Sequence, residues 1–337
     1  MTGFLKSFVY KELFPFLHDL MPIGSTLLHG ALFCFFVLFS TFAVCWGREK
    51  LLARMQMRRS GSLKSMICRG IVGLLKCPAV PDRSQKTLFV AAPLFAFVFS
   101  LFFFFFMPVG SSSGLSLDFS MLYFLFTASC GVYAFIVGGW CSSSRFSFFG
   151  AVRLIAQSLA CQPVLAIVIV TVLMTAGGSD LQTVMRSQKH LWFVVPHFPL
   201  FVLYLLSSAM LLAHAPFGSP KSDRELAGGV YSEYSGALYM LFLVSENVLL
   251  LLCAAVGSIL FLGGTMPLFG LAYPKVWMAV KTAVLLVVLI LVKETLPVWK
   301  TDRIINISFK TYLPFSLAWM AATAGILYFT QGVGGEF

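Results

Sequence analysis

Acidic side chains beside an apolar stretch are the residues of this chain best suited to chemistry. Asp223, Glu225 and Glu233 lie in a polar segment, and Glu246 lies inside the apolar run that follows. A carboxyl group inside a bilayer costs roughly 2.5–3.5 kcal/mol or more when charged, so such groups are retained where they pair or carry protons. Spaced acids of this kind could relay protons if water fills the gaps between them. Alternatively, each acid forms an ion pair that fixes the loop, for example Glu225 with Arg224.

The elements that must position these acids are membrane helices. The chain is 59% hydrophobic and 11% charged, with a mean hydropathy of +0.90, which excludes an ordinary soluble domain. A span needs about 20 apolar residues, and long unbroken runs favour helices over a barrel. The sequence therefore predicts an all-α integral membrane protein with about eight transmembrane helices. They are predicted at about 22–46, 87–109, 119–140, 150–176, 191–213, 237–257, 276–292 and 309–330.

Around this eight-helix membrane domain, residues 22–330, we expect an N-terminal interfacial segment at 1–21 and a tail at 331–337. Lys281, in the seventh predicted span, is expected to reach the membrane surface with its ammonium group, although it could also belong to a polar path.

The net charge of +11 follows the predicted loops. Most lysines and arginines fall in the loops at 47–86, 141–149, 214–236 and 293–310, which should therefore face the cytoplasm or mitochondrial matrix. The positive charge thus reports topology, and we expect no nucleic-acid partner. The eight cysteines show no C-x-x-C spacing and are expected to be buried apolar residues, and no metal site or nucleotide loop is predicted.

Several motifs resemble one family. Ala215-Pro216-Phe217, Glu225-Leu226 and Glu233-Tyr234-Ser235-Gly236 resemble A-P-F-D, E-L and E-Y-S-G of the quinone-chamber membrane subunit of respiratory complex I. That family is also called NADH dehydrogenase subunit 1, or the H subunit in bacteria. Further matches lie at 48–58, 131–157, 260–264 and 293–314, so the resemblance runs over roughly residues 22–320.

The resemblance implies a subunit of proton-pumping NADH:ubiquinone oxidoreductase that forms part of the quinone chamber and couples quinone reduction to proton translocation. It implies ubiquinone as substrate and no catalytic residue or cofactor in this chain. FMN, NADH and iron–sulfur clusters are expected in partner subunits. The partners would be other membrane-arm subunits, the quinone-site subunits of the peripheral arm, and lipids. The implied proton and coupling path comprises Asp223, Glu225, Glu233 and Glu246. The implied chamber residues are Glu49, Lys50, Arg58, Arg153, Phe217 and Tyr234.

The chain departs from the family pattern at several acidic positions. Gln162, Leu211 and Lys221 stand where the family usually has an acid, and the loop after Lys76 is shortened. If one helix carried both Glu233 and Glu246, they would stand about 20 Å apart, too far for direct proton transfer. The acid path is therefore expected to need water or acids from a partner chain.

Two other functions fit parts of the pattern. A subunit of a membrane-bound hydrogenase shares the general plan, but the 131–157 block and Glu233-Tyr234-Ser235-Gly236 favour the quinone enzyme. An ion-coupled secondary transporter would show internal repeats, and none is clear. The phenylalanine-rich run at 101–106 and the lack of a targeting signal favour the mitochondrial inner membrane, with a bacterial inner membrane as the alternative.

Overall fold

The computed structural model describes residues 39–59, 61–82, 84–102, 120–189, 191–212, 228–266, 274–295 and 299–333. The chain divides into two compact units, Met1–Val44 and Cys45–Phe337. In the first unit the described residues, 39–44, are helical. The second unit begins with a helical segment at 45–55, and no strand occurs in its described part.

Ten further α-helices follow in the described part of the second unit. In chain order they are α1 Leu63–Leu75, α2 Lys86–Phe102, α3 Ser120–Cys141, α4 Arg145–Ala176, α5 Leu181–Ser187, α6 Phe198–Leu211, α7 Gly236–Leu262, α8 Pro274–Thr295, α9 Thr301–Ile307 and α10 Leu313–Val333. A single 3₁₀ turn, Gly229–Tyr231, precedes α7, and a π-helical turn, Ser308–Tyr312, joins α9 to α10.

Four helical stretches of the described chain are long and apolar enough to cross a membrane: Ser120–Cys141, Arg145–Ala176, Gly236–Leu262 and Thr301–Phe329. Three shorter apolar helices are Lys86–Phe102, Phe198–Leu211 and Val276–Val292. Each of the last seven predicted spans therefore overlaps an apolar helix of the described chain. The first, at 22–46, lies mostly outside the described residues, as do the predicted N-terminal segment and most of the C-terminal tail. The count of eight spans stays a prediction.

The two longest helices end at glycines. Gly177 and Gly263 occupy the left-handed region, with φ of 74° and 72°, directly after α4 and α7. A glycine in this conformation ends a helix because it lacks the Cβ that penalises other residues there. The apolar runs at 150–176 and 237–257 are thus each closed by a local backbone signal, at or a few residues beyond the predicted end of the span.

The helices of the second unit begin and end at two opposite ends of the bundle, which we call its poles. At one pole the Ala79 N–H donates to Ser235 Oγ at 2.9 Å, and Ser147 Oγ donates to the Val230 carbonyl at 3.3 Å. At the other pole the Leu181 N–H donates to Ser120 Oγ at 3.1 Å. This grouping agrees with the alternation of loops predicted from charge, because 79, 147, 230 and 235 lie in or beside the basic loops. Which pole faces the matrix stays a prediction.

Lys281 does not reach the surface, so the expectation that its ammonium is exposed is wrong. The residue is 5% exposed, and its Nζ donates to the carbonyls of Leu262 at 2.6 Å and Met266 at 2.7 Å. Nζ also lies 4.8 Å from the centroid of the Trp192 ring. The carbonyls at a helix C-terminus lack intrahelical donors and carry partial negative charge, which attracts a buried cation. Lys281 thus ties α8 to the end of α7.

Candidate functional site

The structure describes seven of the ten residues predicted from the sequence to serve the proton path or quinone chamber. Asp223, Glu225 and Phe217 lie outside the described residues. The residues it describes are Glu49, Lys50, Arg58, Arg153, Glu233, Tyr234 and Glu246.

The last part of the polar segment before α7, residues 228–235, lies against the helical bundle. Its 3₁₀ turn, Gly229–Tyr231, is buried throughout, and it packs against α3 and α4. Gly150 on α4 permits this approach, because a Cβ there would lie 2.8 Å from the backbone nitrogen of Val230. A stretch that reads as a polar surface loop is therefore partly an internal element.

Glu246 lies on α7 and is 8% exposed. It lines a cavity of about 30 Å³ together with Tyr231. The remaining lining residues are apolar: Val132, Phe135, Leu154, Leu211, Leu212 and Leu249. A cavity of this size can hold a water molecule where polar groups border it. The site therefore combines one carboxyl, one phenol and space for water inside an apolar wall.

Tyr231 is the functional candidate that the sequence did not reveal. Burial raises the pKa of its phenol well above the usual value, and the negative charge of Glu246 raises it further, with a smaller effect from Tyr239. The ring packs edge-on against Phe242 and Phe135, which fixes its position. The only signal available was an aromatic hydroxyl two residues before Glu233, because nothing in the spacing shows that the segment enters the bundle.

Glu233 and Glu246 do not share a helix, so the condition under which they would stand about 20 Å apart is not met. Helix α7 begins at Gly236, and half-buried Glu233 lies in the turn before it. Gly236 has φ +58°, and a Cβ there would overlap the carbonyl oxygen of Lys76. Helix α7 thus starts after Glu233, where the chain passes close to Lys76, and Tyr231 of the preceding turn, rather than Glu233, lines the cavity with Glu246.

Tyr234 is held in a packed cluster. Its ring stacks on Phe89 with centroids 4.2 Å apart and meets Phe242 edge-on at 4.9 Å. Its hydroxyl lies 3.2 Å from the carbonyl oxygens of both Phe89 and Gly138, to which it can donate. Burial raises the pKa of this phenol above its usual value. The residue joins α2, α3 and the start of α7, and a role beside a quinone ring stays a prediction.

The predicted chamber residues near position 50 lie on one helical segment. Glu49 forms an ion pair with Arg69 of α1, in which Nη2 donates to both carboxylate oxygens, at 2.9 and 3.0 Å. The Lys50 ammonium lies 3.7 Å from the centroid of the Trp46 ring, and Arg58 is exposed beyond the end of the segment. The Glu49–Arg69 pair thus connects the segment 45–55 to α1, which buries none of its residues in the described chain.

Arg153 lies three residues after Gly150 on α4 and is half-buried. Gln157, one turn further along, donates from Nε2 to the carbonyl of Met210 at 2.7 Å, which joins α4 to α6. Leu211, where the family resemblance puts an acid, follows directly and lines the Glu246 cavity. Among the described lining residues, Tyr231 and Glu246 are therefore the polar ones.

Within the described ranges, no group of three or more His, Cys, Asp or Glu side chains could hold a metal ion. The cysteines of that part of the chain are free thiols, from exposed Cys68 to buried Cys253.

Comparison with known proteins identifies the family. The sequence model of the family described as NADH dehydrogenase matches residues 28–324. The chain is 32% identical over 306 residues to the NADH-quinone oxidoreductase H subunit of Pelagibacter ubique, covering 87% of this chain and 92% of that protein. It is 31% identical to the corresponding H subunit of Paramagnetospirillum magneticum, covering 97% and 96%. It is also 30% identical to NADH-ubiquinone oxidoreductase chain 1 of Chondrus crispus, covering 83% and 89%.

The family match covers the helices α1 to α9 and the two polar residues, Tyr231 and Glu246, among the described residues that line the cavity. The chain therefore belongs to the NADH dehydrogenase family that contains the H subunits of bacterial NADH-quinone oxidoreductases and chain 1 of the NADH-ubiquinone oxidoreductases.

Proposed function

We propose that this chain is the membrane subunit of a proton-pumping NADH:quinone oxidoreductase that borders the quinone chamber and carries the acidic path from quinone reduction to proton translocation. The buried carboxyl of Glu246 beside a cavity, in a helix with the apolarity of a membrane span, carries this proposal. An ionisable group in such a place is retained at a cost, and proton relay is one of the functions that justify it.

The path would run from the polar segment into the bundle. When the quinone is reduced, the change in charge would alter the protonation of Asp223, Glu225 and Glu233. The protonation of Glu246, inside the membrane, would change in turn. The 3₁₀ turn supports this proposal because its last residue, Tyr231, lines the Glu246 cavity and Glu233 follows two residues later. Acids of a neighbouring membrane subunit would continue the path beyond Glu246.

The chamber would be bordered by the helical segment with Glu49, Lys50 and Arg58, by Arg153, and by Phe217 and Tyr234. Two observations support this arrangement. Helix α1 has exposed apolar side chains, among them Ile71 and Leu75, and the Glu49–Arg69 ion pair joins it to the segment. An apolar helix face beside charged side chains suits a substrate with an apolar tail and a polar headgroup.

The redox chemistry would belong to partner subunits of the peripheral arm, which would hold FMN, bind NADH and carry the iron–sulfur clusters that reduce the quinone. Other membrane-arm subunits would pump the protons. We propose that the complex lies in the mitochondrial inner membrane, with a bacterial inner membrane as the alternative. The phenylalanine-rich run at 101–106 favours the first, and relatives that include bacterial proteins and a chain 1 protein fit either.

The experiment replaces Glu246 by Gln in the assembled complex. Glu246→Gln keeps the size of the side chain and removes its ability to ionise. We expect normal assembly and normal NADH oxidation by an artificial electron acceptor, because the peripheral arm is untouched. We expect slower ubiquinone reduction and fewer protons translocated per NADH.

Asp180→Asn is the matched control, because Asp180 is a partly buried acid beside Ser120 at the opposite pole from the polar segment. Wild-type quinone reduction and proton yield in Glu246→Gln would remove Glu246 from the path and defeat the proposal. Equal losses in both variants would show a general effect of removing an acid and would also count against it.

A further inference from the structure

Tyr231 and Glu246 line the same small cavity from two different elements. Tyr231 comes from the 3₁₀ turn and Glu246 from the middle of α7. Among the described residues that line the cavity, they are the polar ones, and the other lining side chains are hydrocarbon.

The position of Tyr231 is set by packing. Three aromatic rings contact it edge-on, at centroid distances of 5.8 Å for Phe242, 5.8 Å for Tyr239 and 6.2 Å for Phe135. Gly150 allows the turn that carries it to approach α4 closely. A side chain held in this way can present its hydroxyl in one place without a large entropy cost at the moment of function.

The chemistry of the two groups is complementary. A phenol is a hydrogen-bond donor and acceptor, and an ionised carboxyl group is an acceptor with several lone pairs. In a site of low dielectric constant a hydrogen bond from a neutral donor to a carboxylate is stronger than in water. The charge of Glu246 also acts on Tyr231, which indicates that the two groups are close.

We propose that the Tyr231 hydroxyl donates a hydrogen bond to the Glu246 carboxylate, directly or through one water in the shared cavity, and so positions that carboxylate for proton exchange. Tyr231 is then a positioning residue that acts through Glu246. The hydroxyl keeps its own proton throughout, so no bond is made or broken at Tyr231.

This inference rests on the proposed function, and it is tested in the assembled complex with Tyr231→Phe, which removes only the hydroxyl. We expect ubiquinone reduction coupled to proton translocation to slow by roughly 10- to 160-fold, the effect of losing one hydrogen bond to a charged group. In the Glu246→Gln background the same substitution should cause no further loss. Tyr231→His, which keeps a ring with a donor, should restore part of the rate.

An infrared difference spectrum of NADH-reduced minus oxidised complex supplies a readout that a structural role would not change. The carbonyl stretch that disappears in Glu246→Gln belongs to protonated Glu246. In Tyr231→Phe it should move to higher wavenumber, because a carbonyl that loses a hydrogen-bond donor becomes stiffer. Tyr204→Phe is the matched control: its buried hydroxyl donates to the Cys253 carbonyl of α7 at 2.7 Å and does not line the Glu246 cavity.

The outcomes separate the two proposals. If Glu246→Gln is impaired and Tyr231→Phe retains the wild-type rate and band, the inference is overturned and the proposed function stands. If Tyr231→Phe fails to assemble while Tyr204→Phe assembles, the hydroxyl is structural and the inference is again overturned. If Glu246→Gln itself behaves like the wild type, the proposed function fails first.

Discussion

Replacing Lys281 by Met should loosen the end of α7. The substitution keeps an unbranched apolar stem and removes the ammonium that donates to Leu262 and Met266. Each hydrogen bond from a charged donor contributes about 1.5–3 kcal/mol, and a cation over an aromatic ring about 0.5–2 kcal/mol. Part of this loss is offset because Met need not desolvate a charge, which costs several kcal/mol for a buried ion. We therefore expect a net local loss of about 2–3 kcal/mol.

Hydrogen exchange measures this local loss directly. The Gly264 N–H donates to the Ser258 carbonyl at 2.9 Å and the Val194 N–H donates to the Phe261 carbonyl at 3.0 Å, so both amides report on opening at this pole. A loss of about 2–3 kcal/mol corresponds to exchange faster by roughly 30- to 140-fold.

Lys310→Met is the control, because Lys310 is exposed on the π-helical turn. Its substitution should leave both amides within about twofold of the wild type, as expected for a surface position. Unchanged exchange in Lys281→Met would refute the view that this lysine stabilises the end of α7, and so would an equal acceleration in Lys310→Met.

Two further predictions concern the 3₁₀ turn. Gly150→Ala should destabilise the described unit by about 1–3 kcal/mol in thermal unfolding, because the new methyl group would lie 2.8 Å from the Val230 nitrogen. Gly131→Ala, whose Cβ would meet nothing within 4 Å, should be neutral or slightly stabilising, and an equal loss in both variants would contradict the steric explanation. Burial raises the pKa of Tyr231, so near pH 10 the unfolded chain loses this phenolic proton while the folded chain keeps it. The free energy of unfolding should therefore have its full value below that pH and fall above it. Tyr231→Phe should reduce this alkaline loss, and tyrosinate absorbance showing ionisation of Tyr231 in the folded chain near pH 10 would contradict the reasoning.

The helices were predictable because the length of an apolar run can be read directly from the sequence. The run at 150–176 and the run at 237–257 became α4 and α7, each ending at a left-handed glycine. The predicted span at 191–213 was less accurate, because its first residues form turns and the helix begins only at Phe198. Hydropathy cannot separate an apolar turn from an apolar helix, since both satisfy the same composition.

The candidate site was predictable in part. Glu246 stood out because a single acidic side chain in an apolar run costs free energy whichever side of the helix it occupies. Tyr231 did not, because its importance comes from a neighbour fifteen residues along the chain and on another element. Lys281 was assigned to the surface from its flexible stem alone, and only the position of the α7 end explains why its ammonium is buried.

The sequence by itself determined the membrane class, the order of the apolar helices, the sidedness expected from the basic loops and the family, because each depends on residue types and their order. Tertiary structure alone decided that the segment before α7 enters the bundle, that Glu233 and Glu246 belong to different elements, and that Tyr231 and Glu246 border one cavity. The physical reason is that these features arise from close approach: Gly150 beside Val230, and Gly236 beside Lys76, bring together backbones that are distant in the chain.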